Sequence, residues 1–566
     1  MPAGMPMTLP HRTLPAAALL AAALLAPAPL LAQTWPRTTA ERSSFDSTSS
    51  SAEVGAFLDS LQLAGAPVAV DEIGRTADGR PLYLAIAADP AVTSPAEAAA
   101  SGKLVVYLQG NIHAGEVEGK EALQILLREL VTTRRDLLRS LVVLAVPDYN
   151  PDGNDAFGPV AVNRGEQNGP LVVGQRADGL NLDLNRDYLK AEAPETRASL
   201  ARIYATWDPA LMVDLHTTDG TRHGYLLTYA PPLEPIGPAG PTRYVRDQML
   251  PAIQRTLAER YHEPIFVYGD VDDPVDPKSW DTYAPLGWYG TNYVGLRGRM
   301  AILSEAYAHA DFKTRVQVTH DFLVEILAYA AAHADEIRRL EREADRQTTL
   351  EGAGALPRPD LAVQYAMVAR DTEPVVLEVM QATGDTTPRG RPRLAPTGQY
   401  RTVSIPVRDR FVDSVSRPMP AGYFLPPGAV DVARLLRLHG IRVERLAADW
   451  ADTVEVLAVD QLTWQPREFQ GHHLLAVAGH YLRVPRTVPA GTLFVPCAQP
   501  LGRLAFALLE PEGWGVARWG MLDRLLGSEF GTYSGLIYGS SGVREFPVSR
   551  APRAPTVPTR VYPGGE

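Results

Sequence analysis

From about residue 103 the chain alternates between short apolar runs and segments with a helical repeat of apolar residues. Residues 104–108 and Leu141–Val146 have the length and composition of strands buried on both faces. The segment between them repeats apolar residues with helical spacing, at Leu123, Leu126, Leu127 and Leu130. This alternation predicts an α/β fold whose mixed, mostly parallel sheet carries helices on both faces.

The same pattern predicts the neighbouring elements. Further strands are expected at residues 211–215, 225–228 and 300–303, and an earlier one at residues 82–87. A long helix is expected over about residues 313–345.

Periodicity is lost in residues 348–359, which contain Gly-Ala-Gly-Ala-Leu-Pro-Arg-Pro. Such a segment is typical of an interdomain linker, and 566 residues exceed what one core usually supports. We therefore predict a first domain over residues 33–346, a linker over 347–359 and a C-terminal α+β accessory domain over 360–566. The sequence gives no role for the accessory domain.

Residues 1–32 have the pattern of a secretory signal. His11 and Arg12 precede an apolar run over residues 14–26, and small residues lead to a cleavage site after Ala32. The run is shorter than the ~20 residues that a membrane span needs, which disfavours an uncleaved anchor. The sequence thus predicts a secreted or periplasmic protein without stable membrane insertion after signal removal.

Composition narrows the possible partners. The net charge is −11, and no block of Lys and Arg could neutralise a nucleic-acid backbone, so nucleic acid is not an expected partner. Cys497 is the only cysteine, which excludes an intrachain disulfide. Without a local His or Asp partner, Cys497 is expected to be a small buried residue rather than a nucleophile.

Candidate chemistry follows the ends of three predicted strands. His113 and Glu116 come after the first, His216 after the second and Glu305 after the third. In open α/β sheets, ligands bind beyond the carboxyl ends of the strands. A catalytic zinc takes three protein ligands and keeps one open position, and His113, Glu116 and His216 would complete that set.

The order of these residues resembles that of the carboxypeptidase A-like zinc carboxypeptidase family, over about residues 70–330. The matching motifs are His113-Ala-Gly-Glu116, Tyr149-Asn-Pro-Asp-Gly153, Gly174-Gln-Arg176, Asp183-Leu-Asn-Arg186, Asp214-Leu-His216 and Ser304-Glu305. The resemblance implies that family's fold, one Zn²⁺ per chain and a metallocarboxypeptidase, which the predicted signal would export. Such an enzyme hydrolyses peptide bonds at the C-terminal end of peptides, so its partner would be a peptide with a free C-terminal carboxylate.

The resemblance also implies residue roles. His113, Glu116 and His216 would hold the zinc, whose charge lowers the pKa of a bound water. Glu305 would take the proton of that water and pass it to the leaving amine. Arg176 would stabilise the oxyanion.

Other implied roles concern groups around this centre. Asp183 would accept a hydrogen bond from the distal nitrogen of His113. Arg164 is an alternative to Arg176 as the oxyanion cation.

Asn185 and Arg186 would bind the terminal carboxylate of the substrate, because a guanidinium matches a carboxylate bidentately. Asp187 departs from the Asn that many relatives carry and is expected to add negative charge near this pocket. Relatives also have a mobile tyrosine upstream of the catalytic Glu. Tyr283, Tyr289 and Tyr293 all qualify here, and the last two lie in a Gly-rich stretch that could move.

Two other functions are compatible with the sequence. One is a zinc amidase or deacylase acting on N-acyl amino acids or cell-wall peptides, and the other is an inactive module that binds peptides or glycans. Retention of Glu305 speaks against the inactive module, because a binder needs no general base. The sequence defines neither the preferred side chain of the substrate nor the oligomeric state.

The remaining histidines carry weaker expectations. His472, His473 and His480 lack spaced carboxylate or Cys partners, which disfavours a second metal site. His309 and His320 are expected to be solvated or capping residues near the helix that follows Glu305.

Overall fold

The computed structural model describes residues 35–387, 390, 392–526 and 544–563. The predicted signal peptide, residues 1–32, lies outside the described residues. Among the residues described, no helix has both the length and the apolar character needed to cross a bilayer.

An eight-stranded sheet forms the centre of the N-terminal part. Its strands, in chain order, are β1 (Val68–Arg75), β2 (Pro81–Ala87), β3 (Leu104–Gly110), β4 (Leu141–Val146), β5 (Leu211–Thr217), β6 (Leu227–Ala230), β7 (Ile265–Val267) and β8 (Met300–Ala306). Their order across the sheet is β1-β2-β4-β3-β5-β8-β6-β7. The central strands β4, β3, β5 and β8 are parallel, whereas β1 and β2 on one side, and the pairing of β6 with β8, are antiparallel.

Helices cover both faces of this sheet, as predicted. On one face, Gly119 at the start of helix Glu118–Leu130 packs against Leu215 of β5. On the other face, the rings of Tyr107 of β3 and Tyr204 pack edge to face, with their centroids 5.8 Å apart. Side chains alternate between the two faces of a strand, and both faces are covered, so the central strands have continuous apolar runs.

The bounds of the helices in this part follow the apolar repeats. The α-helices are Thr39–Arg42, Ser51–Leu63, Pro95–Ser101, Glu118–Leu130, Pro151–Asp155, Val160–Asn163, Pro194–Ser199, Ala239–Tyr244, Leu250–Thr256, Gly290–Leu296, Phe312–Ala332 and Ala334–Ala353. Wider π turns at Leu200–Tyr204, Val245–Met249 and Leu257–Tyr261 continue three of them, and 3₁₀ turns occur at Arg135–Arg139 and Leu184–Arg186.

The C-terminal part is rich in β structure. Its seven-stranded sheet has the order Leu475–Val488, Trp450–Trp464, Ser549–Ala551, Gly422–Leu425, Leu493–Pro496, Glu444–Leu446, Thr559–Val561. Two long strands, Asp371–Thr386 and Pro392–Arg408, join Trp280–Asp281 and Asp270–Val271 in a four-stranded sheet, and Asp360–Val368 pairs with Arg410–Pro418. Helices Val430–Leu438, Gly502–Leu509 and Asp523–Leu526 complete the α+β content.

The sequence prediction was wrong about the end of the long helix. The predicted single helix is two, because the chain breaks at His333, and the second one, Ala334–Ala353, runs into the segment predicted as a linker. Glu351 on its last turn is buried and forms a two-point ion pair with Arg503, at 3.0 and 3.2 Å. The helical turn persists there because it is packed, although its local sequence favours a loop. The domain boundaries stay a prediction.

One hydrophobic cluster crosses the predicted boundary. It includes Tyr188 and Leu296 from the N-terminal part and Tyr423, Leu504 and Phe506 from the C-terminal part, all of them buried. The two parts therefore share a core, beside a smaller cluster around Trp450 and Phe494 that belongs to the C-terminal part alone.

Candidate active site

The loop after β3 delivers two of the expected zinc ligands. Asn111 follows the strand with a left-handed backbone (φ 65°) and turns the chain into the loop that holds His113 and Glu116. Gly115 lies in the tightest part of this loop, where a Cβ atom would come within 2.6 Å of the Arg164 side chain. Asn150 of the Tyr149-Asn-Pro-Asp-Gly motif donates to the carbonyl of Ile112 at 3.3 Å, which ties the loop to the next strand end.

The ends of β5 and β8 supply the remaining groups. His216 and Glu305 are paired neighbours on these parallel strands. Parallel strands end at the same edge of a sheet, so register alone brings the expected general base beside the expected ligand.

The three expected ligands converge. The Nδ1 atom of His113 lies 3.1 Å from Glu116 Oε1, and the Nδ1 atom of His216 lies 3.0 Å from Glu116 Oε2 and 3.2 Å from His113 Nδ1. Among the described residues, these three form the one group of His, Cys, Asp and Glu side chains whose ligand atoms all lie within 4.8 Å of one another.

Groups around the ligands fix the tautomers that a metal requires. His113 Nε2 lies 3.0 Å from Asp183 Oδ1, and His216 Nε2 lies 3.1 Å from Asp214 Oδ2. Carboxylates at these positions favour a proton on Nε2 and leave the Nδ1 lone pairs free. Two lone pairs and one carboxylate then face each other in a buried space, an arrangement that a cation would stabilise and that fits zinc.

The electrostatics of the pocket agree with a cation site. Burial alone would raise the pKa of Glu116, but the neighbouring charges of His113 and Arg164 hold this pKa well below its usual range. Burial opposes the charged form of His216, yet the carboxylates of Asp214 and Glu116 raise its pKa well above the ordinary value. Glu116 is thus kept ionised, and its carboxylate favours a positive charge beside it.

Glu305 lies in the same cavity with a different charge balance. Burial raises its pKa to about 8, and the negative charges of Glu116 and Asp219 act in the same direction, whereas His216 opposes them. A carboxylate whose pKa lies near neutrality can both accept and return a proton.

The structure separates the two candidate oxyanion cations. Arg176 lines the cavity, donates from Nε to Asp183 Oδ2 at 2.9 Å and places Nη1 3.4 Å from Glu116 Oε1. Arg164 is 3.0 Å from the same carboxylate, but it donates to the carbonyls of Thr217 and Thr218 and is not among the lining residues. Arg176 is the better placed of the two to meet a substrate.

Asn185 and Arg186 also line the cavity, and Asn185 Nδ2 lies 3.4 Å from His216 Nε2. The amide oxygen of Asn185 accepts a hydrogen bond from Gly290 N at 2.9 Å, which fixes the side chain. The guanidinium of Arg186 lies over the ring of Tyr289, 4.6 Å from its centroid. The cavity that these groups enclose measures about 130 Å³.

Asp187 does not act as expected. Its carboxylate is fully buried, lies 2.5 Å from Lys190 Nζ and accepts a hydrogen bond from Ala193 N at 2.9 Å. The expectation that Asp187 adds negative charge to the substrate pocket is wrong, because this charge is paired inside the protein.

Two of the three candidate tyrosines lie at the cavity and one does not. Tyr283 and Tyr289 line the cavity, with their rings 5.1 Å apart. Tyr293 is buried in the core, where its hydroxyl lies 2.9 Å from His439 Nδ1. Tyr293 is therefore too far inside the fold to reach a substrate.

Sequence reasoning gave no role to several groups of the site. Asp214 and Leu303 stand two residues before His216 and Glu305, so the two-residue period of a strand already places them on the same face. The cavity is also lined by Leu303, Thr217, Asp219, Tyr268 and Thr291. Tyr268 lies in the loop after β7 and Thr291 in helix Gly290–Leu296, and the local sequence does not reveal that either reaches the cavity.

The other histidines have separate partners. His472 pairs with Glu192 at 2.9 Å, His473 Nδ1 lies 3.0 Å from the carbonyl of Gln465, and His480 pairs with Asp460 at 3.3 Å. His320 lies within helix Phe312–Ala332 and is buried, so the expectation of a solvated or capping residue is wrong. His309 precedes that helix.

Cys497 is buried, as expected, and burial raises the pKa of its thiol to about 12.

Comparisons with known proteins agree with the site. Residues 55–209 match the family model described as zinc carboxypeptidase. Carboxypeptidase 2 of Trichophyton rubrum is 24% identical over 492 residues, covering 81% of this chain and 80% of that protein. Carboxypeptidase 2 of Trichophyton equinum is 25% identical over 439 residues, covering 74% of each. The solved metallo-carboxypeptidase of Burkholderia cenocepacia aligns with a TM-score of 0.38 and 18% identity, over 50% of this chain and 69% of that one.

The family match includes His113, Glu116, Arg176, Asn185 and Arg186 but ends before His216 and Glu305, which the fold brings to the same cavity. Residues 55–209 thus match the zinc carboxypeptidase family, and the protein is a metallopeptidase.

Proposed function

We propose that this protein is an exported zinc-dependent metallocarboxypeptidase that removes residues from the C-terminal end of peptides. The observation that carries the proposal is a single cavity lined by the His113–Glu116–His216 triad, by Glu305 and by Arg186. Metal ligands, a proton acceptor and a carboxylate receptor thus face the same small space.

His113 and His216, through Nδ1, and Glu116, through its carboxylate, would hold the metal. Bound zinc would supply a Lewis acid that polarises the scissile carbonyl and lowers the pKa of a water molecule. Asp183 and Asp214 accept from the outer nitrogens of the two histidines and so keep the inner ones unprotonated.

Glu305 accepts the proton of the attacking water at its carboxylate and passes it to the nitrogen of the leaving amino acid. Burial supports this role, because it raises the affinity of this carboxylate for a proton. Arg176 stabilises the negative charge that develops on the carbonyl oxygen, because its guanidinium is already held by Asp183 and needs little reorganisation.

Asn185 and Arg186 bind the terminal carboxylate of the peptide. The free edge of the Arg186 guanidinium offers two parallel donors, which match the two oxygens of a carboxylate. Tyr289 restrains Arg186 by stacking beneath it, and Tyr283 lies beside Tyr289. Recognition of this carboxylate makes the enzyme an exopeptidase.

The export part of the proposal rests on residues 1–32, whose basic start, apolar core and small residues near Ala32 are typical of a cleaved signal. It places the mature enzyme outside the cytoplasm, in the medium or the periplasm.

The test combines metal analysis with product analysis on the purified mature protein. We expect about one zinc per chain and chelator-sensitive release of C-terminal amino acids from a mixed peptide library. In Arg186→Ala, hydrolysis of peptides with a free carboxylate should fall by roughly 10²-fold or more, since a charge-assisted two-point contact is lost. The same peptides with amidated ends should react equally in both proteins.

Other outcomes identify the alternatives. Zinc without amino-acid release, but with cleavage of N-acyl amino acids or cell-wall peptides, would indicate the amidase or deacylase. Peptide or glycan binding without zinc or any hydrolysis would indicate the inactive module.

A further inference from the structure

The catalytic cavity is bordered by a turn from the C-terminal part of the chain. Phe469–His472 connect strands Trp450–Trp464 and Leu475–Val488, and Phe469 and His472 exchange two backbone hydrogen bonds, of 2.8 and 3.0 Å. We propose that this turn is a built-in part of the active site, in which Gln470 is a positioning residue. Gln470 holds Asp183, and through Asp183 it holds the metal ligand His113.

The backbone of Gln470 is unusual for its residue type. Gln470 and Gly471 both have positive φ, of 52° and 77°, as in the tight turns that connect adjacent strands. Gly, Asn and Asp adopt this conformation readily, whereas glutamine adopts it only at an energetic cost. A longer amide at this position indicates that its side chain has a use that Asn or Gly would not fulfil.

That use is a hydrogen bond across the domain boundary. The side-chain oxygen of Gln470 accepts from the backbone N–H of Asp183 at 2.7 Å. Asp183 begins the short Leu184–Arg186 turn, so its N–H is one of the donors that such a turn leaves without an internal partner. Gln470 supplies the partner from 287 positions away in the sequence.

Asp183 connects this bond to the chemistry. Its Oδ1 lies 3.0 Å from His113 Nε2 and accepts from Asn185 N at 2.9 Å, while its Oδ2 accepts from Arg176 Nε at 2.9 Å. One carboxylate thus orients a metal ligand, the oxyanion cation and the backbone of a substrate-binding residue. A displacement of Asp183 would therefore shift His113, Arg176 and the backbone of Asn185.

The same turn has two further contacts with the N-terminal part of the chain. The ring of Phe469 lies 5.6 Å from that of Trp288, which precedes the cavity residue Tyr289, and His472 forms an ion pair with Glu192. The turn is therefore held against the N-terminal part by Phe469, Gln470 and His472. Gln470 makes the contact that leads directly to a metal ligand.

This inference rests on the metal site of the proposed function. The test therefore measures zinc binding separately from turnover. Zinc affinity of the metal-free full-length mature protein is measured by competition with a chromophoric chelator, together with kcat, KM and the thermal unfolding midpoint. Gln470→Met keeps the length of the side chain but removes the acceptor, and Gln470→Glu restores an acceptor oxygen. Glu468→Gln is the matched control, because Glu468 is exposed on the same loop.

We expect Gln470→Met to bind zinc on the order of 10-fold more weakly, which is the usual size of an effect on groups that orient a ligand. Gln470→Glu should recover most of that loss, and Glu468→Gln should equal the parent protein. Equal zinc affinity and kcat/KM in Gln470→Met and the parent would overturn the inference and leave the proposed function standing. Equal losses in Gln470→Met and Gln470→Glu would overturn it too, since the acceptor would then be irrelevant. A parent protein without zinc affinity would overturn both proposals.

Discussion

Individual side chains in the cavity differ in charge state because their surroundings differ. Glu116 faces two histidines and two arginines, which keep it ionised although it is buried. The pKa of Glu305 is lowered by His216 and raised by the neighbouring carboxylates, and burial is the largest effect and raises it. Two glutamates in one cavity can therefore take different roles, one as ligand and one as proton acceptor.

The substitution Glu305→Gln tests this division at the scale of one residue. Zinc content should be unchanged, because Glu305 is not part of the triad, while turnover should fall by about 10²–10⁴-fold, because only the proton acceptor is lost. The measurement is kcat on a C-terminally free peptide, alongside metal analysis. Glu343→Gln, an exposed change on helix Ala334–Ala353, serves as the control. Turnover within a few-fold of the parent would remove Glu305 from the mechanism.

At the scale of elements, the two helices on one face of the central sheet are linked by a buried ion pair. His320 of helix Phe312–Ala332 lies 3.1 Å from Glu129 of helix Glu118–Leu130 and 3.0 Å from Asp321. Burial disfavours the charged imidazole, but the two carboxylates outweigh it and raise the pKa of His320 to about 9. Hydrogen bonding to His320 lowers the pKa of Glu129 to about 2.

This pair makes helix packing depend on pH. An imidazole whose pKa rises on folding, from an ordinary value near 6.5 to about 9, stabilises the fold fully below the lower value. The stabilisation is lost as pH rises through the higher value. The lowered pKa of Glu129 implies a separate loss as pH falls from the ordinary value of 4.5 through about 2. Arg134 also contacts Glu129, at 2.7 Å.

His320→Gln should therefore lower the free energy of unfolding more at pH 6 than at pH 9.5. We expect the difference between the two pH values to be on the order of 1–3 kcal/mol, measured by urea unfolding of the holoprotein. His333→Gln, at the exposed end of the same helix, should show a small loss that is the same at both pH values. Parallel pH profiles for His320→Gln and the parent would contradict the assignment of a charged His320.

At the scale of the whole molecule, the two predicted domains depend on each other. Tyr293 and Arg297 of the N-terminal part contact His439 of the C-terminal part, at 2.9 and 2.8 Å, and all three residues are buried. The ion pair between Arg503 and Glu351 crosses the same boundary. These contacts extend the shared hydrophobic cluster, so separation would expose both apolar and charged surface.

A shortened chain that ends at residue 359 should consequently lack a cooperative fold. It would expose the buried face that includes Tyr188 and Leu296, and it would remove the bond of Arg297 to His439 and the ion pair of Glu351 with Arg503, and a buried charge without its counter-charge is costly. Thermal unfolding and limited proteolysis against the full-length mature protein provide the measurement. A sharp transition at the parent temperature would instead support two independently folding domains, as the sequence predicts.

The sequence by itself determined the local features of this protein. Strand Leu141–Val146 is found at its predicted bounds, because its continuous apolar run coincides with buried positions. The sequence also identified His113, Glu116, His216 and Glu305, from their order along the chain and their positions after predicted strands. Short loops at strand ends place such residues at one edge of the sheet.

The tertiary structure decided what depends on partners that are distant in sequence. Asp187 is paired inside the protein, Tyr293 belongs to the core, and Gln470 accepts a hydrogen bond from Asp183. The sequence around these residues predicts none of these contacts. The helical turn around Glu351 persists for the same reason, because Arg503 supplies its counter-charge from across the boundary. Local periodicity reports which face of an element is buried, but only packing determines what that face meets, and the charge state and role of a side chain follow from what it meets.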